Sequence, residues 1–298
     1  MSFTAPAPLA RLLEQVCEQF DNAPLFYGHG TDNSWDEAVY LVFTVLGIDF
    51  AVDDSIMQRL VSEEEQERIL ALVRQRIDAR IPVAYLVKEA WFAGYPFTVD
   101  ERVLIPRSPL AELIGQGFAS VVKRPPARIL DLCTGSGCIG IATALTLPEA
   151  LVELADISDA ALDLANVNLQ RHGLQARVKA IKSDLFAALE GPYDLILSNP
   201  PYVSQAEIDE LPAEYAHEPV LGLFSEEEGL AIPLQILREA ADYLSADGVL
   251  IMEVGYSHEA LSARLPQVPF LWLEFEHGGE GILLLTAKQL RAAQSQLL

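Results

Sequence analysis

Arg128-Ile-Leu-Asp-Leu-Cys-Thr-Gly-Ser-Gly-Cys-Ile-Gly140 decides the fold. Its first five residues read as a short buried strand, Gly135 and Gly137 interrupt it, and an apolar stretch from 138 to 146 follows at helical length. Downstream the alternation repeats. Strands are expected at 152–156, 178–182, 193–198 and 248–253, with helices over 159–172 and from about 229 to 244. Strand and helix in turn imply a mostly parallel sheet covered on both faces. Two last strands, 270–275 and 281–286, have no helix between them and should form an antiparallel hairpin at one edge, for seven strands in an α/β domain.

Upstream the pattern is helical. Leu9, Leu12, Leu13, Val16 and Phe20 recur at helical spacing, and Trp35 to Leu46 is a second apolar-faced segment opened by Asn33 or Ser34. Ser62 and Glu65 form a capping-box pattern for a third helix, from about 63 to 80, which Pro82 ends. Residues 90–105 alternate apolar and polar around Asp100-Glu101, as a hairpin would. The expected division is a helical domain over 1–89 that recognises substrate, a linking hairpin over 90–107 and the α/β domain over 108–298.

At 298 residues and 51% hydrophobic, the chain can bury a large core, which rules out a disordered or fibrous protein. Twenty Lys and Arg against 43 Asp and Glu give a formal charge of -23, well beyond the roughly 2–8 units of an ordinary small domain. Such a surface repels phosphate backbones, so no nucleic-acid partner is expected. The charge is concentrated: Val203 to Glu228 holds eight acidic residues and no Lys or Arg. Cys17, Cys133 and Cys138 are too few and too poorly spaced for a disulfide framework or a zinc site, which fits a reducing cytoplasm. The five histidines (His29, His172, His217, His258 and His277) lack metal-ligand spacing and read as local hydrogen-bonding residues. No secretory signal opens the chain, and no stretch approaches the about 20 apolar residues of a membrane span.

Four loops carry chemistry. Gly135, Gly137 and Gly140 fit G-x-G-x-x-G, a pattern shared by NAD, FAD and S-adenosylmethionine sites, in which missing side chains let a ligand approach the backbone and the helix N-terminus. Cys133 and Cys138 read as small packing residues there. Asp156, nineteen residues after Gly137, closes the next strand where a carboxylate can accept from ribose hydroxyls, while Ser158 or Asp159 caps the helix. Ser183-Asp184-Leu185-Phe186 closes the third strand, with a carboxylate and an apolar pair suited to an adenine amine and its ring.

The decisive motif is Asn199-Pro200-Pro201-Tyr202, directly after the apolar strand 193–198. Two prolines remove two backbone donors and fix two φ angles, leaving carbonyls in a rigid geometry. The Asn199 side-chain oxygen and the Pro200 carbonyl can each accept one hydrogen of a planar –NH₂ group, and the Tyr202 ring can cover it. Held in this way, a delocalised amide or aniline-like nitrogen turns its lone pair toward an electrophile. No general base is needed, because the methylated cation sheds its proton unaided.

With these residues the chain resembles the HemK/PrmB-type protein-(glutamine-N(5)) methyltransferases over nearly its whole length. The matching stretches are Arg80 to Leu86, Phe97 to Arg107 (ending Val-Leu-Ile-Pro-Arg), Asp131 to Gly137 and Asn199 to Tyr202. Asn-Pro-Pro-Tyr also occurs in adenine N(6)-methyltransferases; the hairpin, the Ile-Pro-Arg segment and the helical N-terminal domain point to glutamine. The release-factor branch usually continues Ile-Pro-Arg with Pro-Glu-Thr-Glu and has Gly at position 133. This chain has Ser108-Pro-Leu-Ala-Glu112 and Cys133, and its Tyr27 to Asn33, Trp35 to Ala38 and His217 to Leu223 are similar to the branch that methylates the third large-subunit ribosomal protein.

The resemblance implies a Rossmann-like methyltransferase with S-adenosyl-L-methionine as cofactor and a basic protein as partner. Cofactor contacts would come from Asp131, Cys133, Thr134, Gly135, Ser136, Gly137, Asp156, Ile157, Asp184, Leu185 and Asn199. Asn199, Pro200, Pro201 and Tyr202 would be catalytic, and Asn199, Pro200, Tyr202 and Arg107 would bind substrate. For Arg107 a plain salt bridge is an equal reading, and for Glu218 a structural role is favoured. Adenine methylation, release-factor methylation, NAD-dependent oxidoreduction and a non-enzymatic role in ribosome assembly remain as alternatives. The first lacks a basic groove, and oxidoreduction would leave Asn199 to Tyr202 without a task.

Overall fold

Apolar residues on both sides of each strand place the central sheet between two cores. The computed structural model describes residues 5–276 and 278–297, so His277 lies outside the described residues, as do 1–4 of the segment read for a signal. Seven strands form the sheet: Arg128–Leu132 (β1), Leu151–Asp156 (β2), Val178–Lys182 (β3), Tyr193–Ser198 (β4), Leu244–Glu253 (β5), Leu271–Leu273 (β6) and Ile282–Thr286 (β7). Their order is β6-β7-β5-β4-β1-β2-β3, with β5, β4, β1, β2 and β3 parallel and β7 antiparallel to both β5 and β6. The expected edge hairpin is therefore present.

Successive residues alternate between the faces. Leu130, Ile196, Leu250 and Leu283 pack on one side with the helix Ala231–Tyr243 and the C-terminal helix Ala287–Leu297. Ile129, Leu195, Leu197, Ile251 and Leu284 pack on the other, with the helices Leu110–Gly115, Cys138–Thr146 and Asp159–Arg171. The C-terminal helix is an addition to the sequence reading: Leu290, Ala293 and Leu297 bury one helical face after β7 ends.

By its contacts the chain divides into two compact units that do not follow chain order. One comprises Met1–Ala90, Val99–Glu101 and Pro212–His217; the other comprises Trp91–Thr98, Arg102–Leu211 and Glu218–Leu298. The first contains the helices Leu9–Asp21, Ser34–Leu46 and Glu63–Ala79, the second capped by Asn33 and the third by the Ser62/Glu65 capping box. Residues 212–217 join it through one buried cation. Arg76, 1% exposed, donates Nε to Glu37 at 3.1 Å, Nη1 to Glu214 at 2.9 Å and Nη2 to the Phe26 carbonyl at 2.8 Å. A buried guanidinium needs such partners on every side.

The hairpin is also shorter than its sequence suggests. It pairs Glu89–Phe92 with Tyr95–Thr98 around Ala93-Gly94, not around Asp100-Glu101. Ala93 and Gly94 both have left-handed φ, +49° and +82°, which suits the two-residue turn of a twisted hairpin.

Candidate active site

The C-terminal ends of the parallel strands assemble the site, as expected for an open α/β sheet. Leu132 of β1 and Ser198 of β4 are register partners, and Ser198 Oγ donates to the Leu132 carbonyl at 2.8 Å. The glycine loop that starts at Cys133 and the motif that starts at Asn199 therefore leave the sheet side by side, one residue beyond a shared rung.

Within the glycine loop the three glycines have different tasks. Gly135, at φ +55°, has nothing within 4 Å of where a Cβ would stand. A Cβ on Gly137 (φ +81°) would lie 3.0–3.3 Å from Ile141, Leu154 and Ala165, and one on Gly140 would lie 2.2 Å from Leu154. Only Gly135 keeps space open for a ligand; the other two let the helix Cys138–Thr146 pack on β2 and β1.

Asp131 is fully buried and accepts from Thr134 Oγ1 and, at 2.8 Å, from the Gly140 amide, both through Oδ2. Its Oδ1 is buried without a hydrogen-bond partner among the described residues. Burial pushes its carboxyl up to about 7, against the lowering effect of those two bonds. Asp156 is braced by the Gly135 amide at 2.9 Å on one oxygen and the Ser158 amide at 2.9 Å on the other. Ser158 caps the next helix through Ala161, so Asp156 is not spent on capping and each of its oxygens keeps a further lone pair. Ile157 beside it is 48% exposed, an apolar face at the rim.

Most of the rest of the loop is buried. Ser136 is buried and its carbonyl accepts from Asn168 at 2.9 Å. Burial holds the thiol of Cys133 far above its ordinary range and pushes that of Cys138 up to about 12, so both stay neutral, consistent with packing roles. After β3, Asp184 is exposed, whereas Leu185 is 7% exposed and Phe186 is fully buried, stacked on Tyr243 at 4.6 Å. The apolar grip read for Leu185-Phe186 is thus absorbed by the core, and the surface it leaves is that of Asp184.

At the end of β4, Pro200 is buried while Asn199, Pro201 and Tyr202 are half-buried. Tyr202 is fixed at both ends. Its hydroxyl donates to Glu253 Oε1 at 2.8 Å, and its carbonyl accepts from Ser257 Oγ at 2.9 Å. A Cβ on Gly255 would stand 2.6 Å from the Tyr202 ring, so glycine is required beneath it. Glu253, the last residue of β5, also accepts from Ser108 Oγ at 2.5 Å. Burial raises its pKa, opposed by the bonds from Ser108 and Tyr202. Glu253 was not singled out from the sequence. The available signal was a glutamate closing the apolar run Val249-Leu-Ile-Met at the carboxyl end of a parallel strand.

Arg107 sits in a salt bridge. Its Nη1 and Nη2 lie 2.6 and 2.7 Å from the two oxygens of Glu218, which also accepts from the Ile105 amide at 3.0 Å. This bidentate pair to a buried carboxylate fastens the Ile105-Pro-Arg107 segment. Glu226, Glu227 and Glu228 are exposed, Glu227 and Glu228 having left-handed φ of +52° and +60°. The turn abuts the motif: a Cβ on Gly229 would stand 2.2 Å from the Tyr202 carbonyl oxygen. His172 donates Nε2 to Pro96 at 2.9 Å, His217 to Ala79 at 2.8 Å, and His258 Nδ1 to Gly255 at 3.1 Å, the local roles expected of them.

Comparison with known proteins adds to this geometry. A family model described as "Methyltransferase small domain" matches residues 116–215. The chain is 46% identical over 269 residues to the ribosomal protein uL3 glutamine methyltransferase of Francisella tularensis subsp. tularensis, covering 89% of this chain and 86% of that one. It is 43% identical over 281 residues to the protein of the same name from Neisseria gonorrhoeae, covering 94% of each. Among solved structures, a methyltransferase from Pyrococcus furiosus superposes with a TM-score of 0.48 at 16% identity, over 75% of this chain and 98% of that one.

Proposed function

Since the chain belongs to the family of ribosomal protein uL3 glutamine methyltransferases, we propose that it transfers a methyl group from S-adenosyl-L-methionine to the side-chain amide nitrogen of a glutamine in that large-subunit ribosomal protein. The observation that carries this reading is the shared rung: a loop with one open glycine and an amide-binding motif leave adjacent strands at the same level.

S-adenosyl-L-methionine fits the first loop. Its ammonium group offers the donor that Asp131 Oδ1 lacks, its ribose offers hydroxyls to Asp156, and Ile157 and Asp184 suit the face and the amine of its adenine. When bound, it supplies a methyl carbon made electrophilic by a sulfonium. The chain's own part is to orient the nucleophile. Asn199 Oδ1 and the Pro200 carbonyl accept the two amide hydrogens, the rigid Pro200-Pro201 pair fixes that plane, and Tyr202 limits its tilt. Alignment of this kind reaches effective molarities of about 10⁵ M or more, enough to carry much of the rate. The proton leaves to water after transfer, and Glu253, already engaged by Ser108 and Tyr202, is not required as a base.

Residues 1–89 serve in this reading as the substrate-recognition domain, 90–107 as the linking hairpin and 108–298 as the methyltransferase domain. The substrate is a basic polypeptide, met by the exposed turn Glu226–Glu228 beside Tyr202, and the work takes place in the cytoplasm.

The test is to supply the chain with labelled S-adenosyl-L-methionine and ribosomal proteins from cells lacking this activity, then map the label by peptide mass spectrometry. Label is expected on one glutamine of uL3. Asn199→Ala should lower turnover about 100-fold with cofactor affinity by calorimetry unchanged. Label on release factors alone, or on adenine, overturns the proposal.

A further inference from the structure

The segment Ile105-Pro-Arg-Ser108 has no part in the chemistry above, yet its last side chain is two hydrogen bonds from the reacting group. Ser108 is 6% exposed and Glu253 is 7% exposed. Ser108 Oγ donates to Glu253 Oε2 at 2.5 Å, and Tyr202 Oη donates to Glu253 Oε1 at 2.8 Å. One carboxylate thus holds two hydroxyls, one on each oxygen, where β5 ends. The base of the segment is itself immobilised. Glu218 takes the Ile105 amide and both Arg107 Nη groups, and the Leu110 amide donates back to Ser108 Oγ at 3.2 Å.

We infer that Ser108 and Glu253 are positioning residues for Tyr202: they hold its ring at the one angle at which the Asn199–Tyr202 motif accepts a planar amide. The inference rests on the amide-binding reading of that motif. Tyr202 has two soft torsions. The second sets the tilt of the ring, whose inner face rests on the Gly255 backbone, where a Cβ would stand 2.6 Å from it. The hydroxyl's bond to Glu253 opposes rotation of its outer end. Glu253 in turn has three torsions and is held by the second donor, Ser108. Hydrogen bonds to an ionised acceptor in a buried setting are strong enough to fix such a geometry. Each oxygen of Glu253 is engaged by one of the two hydroxyls.

The experiment compares wild type, Ser108→Ala, Tyr202→Phe, Glu253→Ala and the double variant Tyr202→Phe/Glu253→Ala in steady-state methylation of the glutamine-bearing ribosomal protein, alongside ¹³C-tyrosine spectra of the ligand-free proteins. Tyr202→Phe and Glu253→Ala are each expected to lower kcat about 10-fold with the KM for S-adenosyl-L-methionine unchanged, and the double variant should be no worse than either single one. Ser108→Ala should lower kcat about threefold. It should also shift the one tyrosine resonance that Tyr202→Phe deletes. Losses that multiply in the double variant, wild-type kcat in Tyr202→Phe, or an unmoved Tyr202 resonance in Ser108→Ala would overturn the inference. Should Glu253→Ala not fold, Ser108→Ala and Tyr202→Phe decide through kcat and the spectrum. If wild type labels no glutamine, the amide-binding reading has failed; if it does and the variants match it, only the inference has.

Discussion

Among the described residues Asp131 uses one of its two oxygens: both of its hydrogen bonds fall on Oδ2. Its pH behaviour follows. Burial raises its folded pKa to about 7, so the folded chain keeps a proton that an unfolded aspartate gives up near pH 4. Stability from this source is present below about pH 4 and is lost as pH rises to about 7. Relative to Asp131→Asn, the ligand-free protein should therefore lose roughly 2–4 kcal/mol between these limits, read by urea unfolding at several pH values. A difference that stays flat with pH would contradict the raised pKa. At this scale the sequence showed what was contiguous: Asn199 to Tyr202, Gly135 and Asp156 each announce themselves by type and local order. Glu253 did not, because its two partners are 51 and 145 residues away along the chain.

Among the elements, β1 to β4 were readable to within a residue because each is a short apolar run closed by turn residues. The hairpin was misplaced by the pull of Asp100-Glu101, which looks like a turn by composition, whereas Ala93-Gly94 makes the turn by conformation. The glycine loop was recognised as a unit, but spacing alone could not separate a glycine that opens a cleft from two that close a helix onto a sheet. Alanine at each separates them. Gly137→Ala adds overpacking to the left-handed cost and should destabilise by about 2–4 kcal/mol in urea unfolding. Gly135→Ala, with space around it, should cost about 1 kcal/mol while weakening S-adenosyl-L-methionine about tenfold by calorimetry. Equal losses of stability in the two variants would mean that Gly135 is a packing glycine as well.

Over the molecule, the charge of -23 is not one surface. Of the eight acids between Val203 and Glu228, Glu214 and Glu218 are buried on Arg76 and Arg107, Glu207 caps its own helix at Ser204, and Glu227 lies 3.3 Å from Arg264. Asp209, Glu210, Glu226 and Glu228 are left, and of these Glu226 and Glu228 flank the turn beside Tyr202 and are the acids suited to meeting a basic chain there. Glu226→Gln/Glu228→Gln should raise the KM for the protein substrate several-fold at low salt, leave kcat unchanged, and converge with wild type above about 0.5 M salt, where exposed charges are screened. A KM that ignores both salt and substitution would remove that edge from substrate encounter.

The interleaving of the two units limits how this chain can be rearranged. Because Glu214 arrives on Arg76 from more than a hundred residues away, residues 1–90 are not an interchangeable module. A chimera joined near residue 90 inherits Arg76 without its natural Glu214 unless the donor of the second half brings a carboxylate to the same place. Residues 1–90 can therefore be exchanged only where both sides of that ion pair travel together.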